Sequence, residues 1–380
     1  MAKKDIAKEA LALHKKLRGK IFTGLSKPIK TKEDLSLVYT PGVGYVSAYV
    51  AKHKAEAKDY TIKGRTVAVI SDGSAVLGLG NIGALGALPV MEGKAALFKT
   101  FANVDAFPIV LDTQDVDEIV ETVVRIAPAF GGINLEDFAA PKCFEIEEKI
   151  KARLDIPVMH DDQHGTAIVV LAALINAAKV VKKNLHSLRV VMVGAGAAGT
   201  AVAKLFLLAG IKDVVLVDSK GIIVRGRGSM NEHKEILADL TNPRGVSGDL
   251  ADALRSADVV VGVSGPGLIK AVHIERMNKN PIVFALANPV PEITPEEAKK
   301  AGAAVIATGR SDYPNQVNNS LAFPGVFRGA LDHGVKKITD DMKIQAAKNL
   351  ATLVKRPTAD KVVPTPFEKG VAQAVARAIR

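Results

Sequence analysis

Tryptophan is absent from the 380 residues, cysteine occurs once (Cys143), and aromatic residues make up only 4% of the chain. A lone cysteine excludes an intrachain disulfide framework and fits a reducing cytosol. With so few aromatics the core has to be aliphatic, and no stacking platform of the kind used by single-strand nucleic-acid binders is in view. No stretch approaches the 18 uncharged apolar residues of a membrane span. The opening MAKKDIAKEALALHKKLRGK reads as a charged amphipathic helix rather than a signal peptide. These absences predict a soluble cytoplasmic protein without a membrane partner.

What is present begins with length and charge. At 380 residues and 48% hydrophobic content the chain has material for two cores rather than one. The net charge is +11, and residues 1–60 carry 13 Lys plus Arg against 6 Asp plus Glu, so seven of those excess charges lie there. Phosphate neutralisation is one use for such charge. Here, however, the lysines alternate with acids and apolar helical positions, which describes a solvated basic face. The expectation is no nucleic-acid partner, and an anionic small substrate would gain from the positive field.

Strand-like β-branched runs alternate with helical patterns. TVAVISDG (66–73), AFPIVLD (106–112) and IPVMH (156–160) read as buried strands. A helix is expected to open at Pro89, where proline is tolerated at the first helical position, and DVDEIVETVVRIAPAF carries an apolar stripe at helical spacing. After Gly165 the long apolar helix TAIVVLAALINAAKVVKK leads to LRVVMVGAGAAG, DVVLVD, DVVVGVS, PIVFALANP and AAVIATG, each a strand or a strand and its turn. Two α/β units in series are predicted, each a parallel sheet covered by helices.

GxGxxG occurs twice. The copy Gly194-Ala195-Gly196-Ala197-Ala198-Gly199 ends a predicted strand, opens a predicted helix, and is followed 19 residues after Gly199 by Asp218 closing the next strand. That is the context a dinucleotide site requires: a tight turn, close approach to pyrophosphate, a helix N-terminus and an acid for ribose. The first copy, Gly78-Gly80-Gly83, lacks that context, and its glycines are expected to let another segment or a ligand approach the backbone. Asp218 favours NAD, whereas Lys220, Arg225 and Arg227 nearby could neutralise the 2′-phosphate of NADP. The choice stays open, leaning to NADP.

HDDQHG (160–165) allows two metal readings. His160 and His164 are four apart, as in a helical zinc motif, but the helix is expected only from Thr166 and the second position is Asp161 rather than glutamate. The carboxylates Asp161 and Asp162, with Glu136 and Asp137 on another turn, offer instead an all-oxygen set for a hard cation, Mg²⁺ or Mn²⁺. The same acids would also suit plain helix N-termini.

The ordered segments SLVYTPGV (36–43), SDGSAVLGLGNIGALGALPVMEGKAALF (71–98), INLEDF (133–138), HDDQHGTA (160–167), VGAGAAG (193–199), LANPVPEI (286–293) and NNSLAFPGVFRGAL (318–331) together resemble the malic enzymes in their short prokaryotic form. The resemblance implies an N-terminal α/β catalytic and metal-binding domain over 1–160. It also implies a C-terminal Rossmann-type doubly wound parallel sheet over 161–380, whose last helices pack back toward the first domain. By the same resemblance Tyr39 is the general acid, Lys94 the general base, and Asp161 the acid that tunes Lys94. Glu136, Asp137 and Asp162 are then the metal ligands, Asn288, Asn318 and Asn319 lie near substrate and nicotinamide, and the protein is a homodimer. Larger members carry an arginine where this chain has Ala75, so a substrate carboxylate must be anchored otherwise, by the asparagines or by a partner subunit.

The implied reaction is oxidative decarboxylation of malate to pyruvate with NAD or NADP and a divalent cation. The close alternative is malolactic conversion to lactate with retained NADH. A nucleotide-sensing or nucleic-acid-binding protein would show no turnover, and an amino-acid dehydrogenase would need no metal. Burial and a nearby cation are expected to lower the Lys94 pKa, with Asp161 opposing that shift and relaying the proton.

Overall fold

The computed structural model describes residues 6–380. Four strands, β1 (Thr66–Ser71), β2 (Asp105–Val110), β3 (Gly132–Leu135) and β4 (Val158–His160), form a wholly parallel sheet in the order β2-β1-β3-β4. Six more follow: β5 (Arg189–Val193), β6 (Asp213–Asp218), β7 (Gly221–Ile222), β8 (Val259–Gly262), β9 (Ile282–Ala285) and β10 (Val305–Thr308). They pair in the order β10-β9-β8-β5-β6-β7, parallel except for the short β6–β7 hairpin. The expected α/β class with a doubly wound second sheet is what the chain adopts. Every residue of β1, β3, β8 and β9 is buried. Helices cover both faces, so these strands read as continuous apolar runs rather than alternating ones.

One apolar core runs from the first sheet to the second. It joins Val67 and Val69 of β1, Phe98 of the helix Gly83–Ala102, the helix Asp161–Val180, and Val190 and Met192 of β5. Two further cores cover the outer faces, one over β1, β3 and β4 and one over β5, β6, β8 and β9. Asp161–Val180 is long and apolar enough by composition to cross a membrane, and most of it is buried inside the protein. The chain's later helices return to the first sheet: the Phe98 ring meets Phe323 at 4.7 Å and Phe327 at 5.5 Å.

Two local expectations are corrected. The helix carrying HDDQHG begins at Asp161, not Thr166. Pro89 lies inside the helix Gly83–Ala102 rather than opening it; lacking an N–H, it leaves the Leu85 carbonyl without its helical partner, on a turn where Leu85 is exposed. Strands β3 and β7 add to those the sequence pattern predicts. Tyr39 ends the helix Lys32–Val38, and a further helix, Gly42–Lys52, follows almost at once.

In each sheet the chain leaves one strand to both sides. The switch lies between β1 and β3 in the first sheet and between β5 and β8 in the second. Ligands of open α/β sheets bind outside the carboxyl ends of strands at such points. The loops after β1, β3, β4 and β5 therefore stand at these points.

Candidate active site

Those loops bring the predicted acids together. Glu136 and Asp137 follow β3, and Asp161 and Asp162 follow β4 as the first turn of the core helix. Carboxylate oxygens of Glu136, Asp137 and Asp162 lie within 4.8 Å of one another. Asp137 takes φ +58°, a left-handed conformation that Asp tolerates better than most residues. There its amide donates to Asp162 Oδ2 at 2.8 Å. From the other side of the switch, the Ala75 amide donates to the Asp137 carbonyl at 2.9 Å.

Lys94 enters from the helix Gly83–Ala102 with its ammonium 2.6 Å from Asp161 Oδ2 and 2.7 Å from Glu136 Oε1, all three side chains buried. The Phe323 ring lies 4.3 Å from Nζ. Burial pulls the Lys94 pKa down as expected, but Asp161, Glu136 and Asp162 outweigh it and hold the pKa above the ordinary lysine value. Asp161 thus opposes the effect of burial as expected, and Glu136 and Asp162 join it. Burial pushes Glu136 well above the carboxylate range against the pull of Lys94. Burial, aided by Asp162, pushes Asp137 up to about 7. Asp161 rises to about 6, chiefly through burial and against the pull of Lys94. Asp162 is the exception, because the neighbouring His160 overcomes the effect of burial and lowers it.

These residues fit a divalent cation. All donors are oxygens, as a hard ion prefers, and Asp137 Oδ2 is buried without a hydrogen-bond partner among the described residues. The histidines do not make a zinc pair. His160 Nε2 lies 3.2 Å from Asp162 Oδ2, whereas His164 Nε2 lies 3.0 Å from Glu147 Oε2. Glu147, which sequence reasoning missed, accepts from the His160 amide at 2.9 Å and Gln163 Nε2 at 3.3 Å, and pairs with Lys151 at 2.7 Å. It anchors the turn that presents Asp161 and Asp162. Only its position on the inner face of a charged helix could have hinted at this.

The second switch point carries the glycine turn. Gly194 has φ +115°, and a Cβ on Gly199 would overlap the Gly194 carbonyl, while a Cβ on Gly196 would meet nothing within 4 Å. A tight turn, close helix–strand packing and an open edge at the start of the helix Ala197–Leu208 fit a dinucleotide pyrophosphate. Ala195, Ala197 and Ala198 complete this turn. Asp218 ends β6 but is held by cations. Asn288, exposed after β9, places its carbonyl where a Cβ on Gly78 would collide with it, so the first glycine run provides a close approach between two segments. Asn318 accepts from the Ser320 amide at 2.9 Å, and Asn319 lies against Gly165 beside Asp161. Tyr39 is 66% exposed, and among the described residues no hydrogen bond joins its side chain to the acids or to Lys94.

Comparison with known proteins finds two family profiles along the chain. The family profile "Malic enzyme, N-terminal domain" matches residues 18–116 and 113–151, and "Malic enzyme, NAD binding domain" matches 163–379. The "Bifunctional malic/malolactic enzyme" of Bacillus subtilis is 53% identical over 378 residues, covering 99% of this chain and 92% of that protein. The "NAD-dependent malic enzyme" of Geobacillus stearothermophilus is 53% identical over 363 residues, 95% of this chain and 76% of that one. An "NADP-dependent malic enzyme" of Halomonas elongata is 46% identical over 390 residues, 97% of this chain and 92% of that one. The crystal structure of the NAD-dependent malic enzyme of Thermotoga maritima superposes with a TM-score of 0.94 at 49% identity, covering 97% of this chain and 98% of that one. Carboxylates, lysine and glycine turn thus stand in a chain that matches over nearly its whole length, and this chain belongs to the malic enzyme family.

Proposed function

We propose that the protein catalyses divalent-metal-dependent oxidative decarboxylation of L-malate to pyruvate and CO₂ with reduction of NAD or NADP. The observation that carries this reading is the Lys94 ammonium wedged between Asp161 and Glu136 at the edge of the Glu136, Asp137 and Asp162 oxygens. In this reading those three residues hold Mg²⁺ or Mn²⁺, and Gly194 to Gly199 cradle the dinucleotide. A cation held there would supply stabilisation of negative charge on the substrate oxygens, and a nicotinamide held by that turn would supply the hydride acceptor. Lys94 passes a proton to Asp161 and, as the free amine, takes the C2 hydroxyl proton. Asn288, Asn318 and Asn319 orient the substrate in place of the missing arginine at Ala75, and Tyr39 protonates C3 of the enolate left by CO₂ loss.

The catalytic and metal-binding part corresponds to 1–160 and the NAD(P)-binding part to 161–380, and the enzyme works as a cytoplasmic homodimer. An apolar face on the first helices supports the dimer: Leu35, Leu37, Tyr39 and Tyr45 are all exposed, and the helices Ile6–Leu17, Lys32–Val38 and Gly42–Lys52 contain no buried residue. A second copy covering that face would also bring Tyr39 out of solvent.

Purified protein with L-malate and Mn²⁺, given NAD and NADP separately, should produce equimolar pyruvate and reduced cofactor, and EDTA should abolish both. The similarity to the bifunctional enzyme of Bacillus subtilis favours one second reading. Lactate without accumulating NADH would establish that malolactic reading instead. No product with either cofactor would refute both. Within the assay, Lys94→Ala should lower kcat on the order of 10²–10⁴-fold, whereas Tyr39→Phe should retain oxaloacetate reduction and lose enolpyruvate protonation. Equal loss of both activities in Tyr39→Phe would overturn the role given to the tyrosine.

A further inference from the structure

Asp218 stands where an NAD enzyme keeps the acid that accepts the two ribose hydroxyls and repels a 2′-phosphate. Its environment denies it that task. Oδ1 accepts from the Lys220 amide at 2.8 Å and Arg227 Nη1 at 2.9 Å, and Oδ2 accepts from Arg227 Nη2 at 2.7 Å and Lys234 Nζ at 2.7 Å. A carboxylate offers about four lone-pair sites, so these four donors leave none for a sugar hydroxyl. Binding ribose through Asp218 would require breaking a bidentate arginine pair and stranding a partly buried guanidinium.

The donors, in contrast, are not used up. Among the described residues Lys234 Nζ makes one hydrogen bond to protein, leaving two of its three N–H groups, and Arg227 Nη2 makes one, leaving one of its two. Arg227 Nη1 is fixed further by the Gly221 and Ile222 carbonyls at 2.9 and 3.2 Å. Two cations against one carboxylate leave a net positive charge. With side-chain exposures of 15% for Arg227 and 28% for Lys234, that charge is only partly hydrated, a setting in which hydrogen bonds to phosphate are strong. The β6–β7 hairpin, with Asp218 opposite Gly221, turns the chain back so that Arg227 reaches the end of β6. Arg225, which the sequence places in the same basic group, pairs instead with Asp239 at 2.8 Å. The second cation is Lys234, 16 residues past Asp218 on the helix Glu232–Leu240.

Building on the dinucleotide reading above, we propose that Asp218 is the counter-ion of a basic pocket formed by Arg227 and Lys234, with Lys220 at its rim. This pocket takes the 2′-phosphate of NADP. Asp218 positions the two cations and does not itself read the ribose, so NADP is the preferred cofactor.

Isothermal titration of the full chain with 2′,5′-ADP and with 5′-AMP tests this without any turnover. The expected result is that 2′,5′-ADP binds at least about tenfold more tightly, the worth of one hydrogen bond between charged groups. Lys234→Gln, a change at a partly exposed helix position, should weaken 2′,5′-ADP binding about tenfold and so narrow its preference over 5′-AMP. Asp218→Asn should keep 5′-AMP binding, since the ribose is not held there. Equal affinities, tighter 5′-AMP binding, or loss of 5′-AMP binding in Asp218→Asn would overturn the proposal. If neither nucleotide binds, both the pocket and the dinucleotide reading fall. If the preference holds but malate is not oxidised, only the proposed reaction fails.

Discussion

A Cβ on Gly165 would overlap the Asp161 carboxylate and press on Asn319. Gly165→Ala is therefore expected to leave the fold largely intact and displace Asp161 from Lys94. The readout is a drop in kcat of at least about tenfold with melting temperature nearly unchanged, because surrounding side chains rather than the main chain must move. At Asp137 the left-handed backbone makes Asn the proper replacement, since Asn tolerates that conformation. Asp137→Asn should keep the turn and the Asp162 contact while weakening Mn²⁺ binding by about 10-fold or more, measured by titration calorimetry. Wild-type affinity in that variant would remove Asp137 from the ligand set. Most of these residue types were legible in the sequence as acids on turns. What was not legible is their coupling: the Lys94 charge state depends on three carboxylates that arrive from two different loops.

Between elements, the Phe144 ring on the helix Lys142–Arg153 stacks on His233 of the helix Glu232–Leu240 at 4.0 Å and 16°. Burial, with Lys204 and Lys234 adding to it, pushes His233 down to about 4. The folded state thus prefers the neutral ring, while the unfolded chain protonates it near 6.5. The stability that follows from keeping this ring neutral is complete above pH 6.5 and is lost as pH falls from there toward 4, amounting to about 1 kcal/mol once discounted for the half-exposed ring. Thermal melts across that window should show a shallower acid decline for His233→Gln than for wild type, and parallel declines would exclude this contribution. Strands such as β1 and β6 were readable as β-branched runs. β3 was not, because Gly132-Ile133-Asn134-Leu135 is short and polar at its third position. It becomes a strand because β1 and β4 pair with it on both edges. Likewise HDDQHG becomes helical where Glu147 holds its amide and side chains.

For the whole molecule, the exposed apolar first helices set the expectation. Sedimentation should give a dimer, and Tyr45→Asp, at an exposed position of that face, should shift it toward monomer. If Tyr39 acts across the interface, co-expressed Tyr39→Phe and Lys94→Ala chains should recover up to about a quarter of wild-type malate oxidation over the whole mixture, since one of the two sites in a mixed dimer is intact and half of the dimers are mixed. No recovery would place both residues of a site in one chain. The basic N-terminal charge was legible from composition, but which apolar positions stay uncovered was not, since amphipathic spacing does not say what packs on the apolar side.

The chain by itself determined the α/β class, the glycine turn, the acids offered to a cation, and the family, because strand runs, Gly-rich turns and ordered motifs are local patterns. Only the tertiary structure decided that Lys94 lies between Asp161 and Glu136, that Glu147 props the acidic turn, and that Asp218 is claimed by Arg227 and Lys234. Each of these depends on charges far apart in sequence meeting in a buried space, where proximity and desolvation rather than residue type set the outcome.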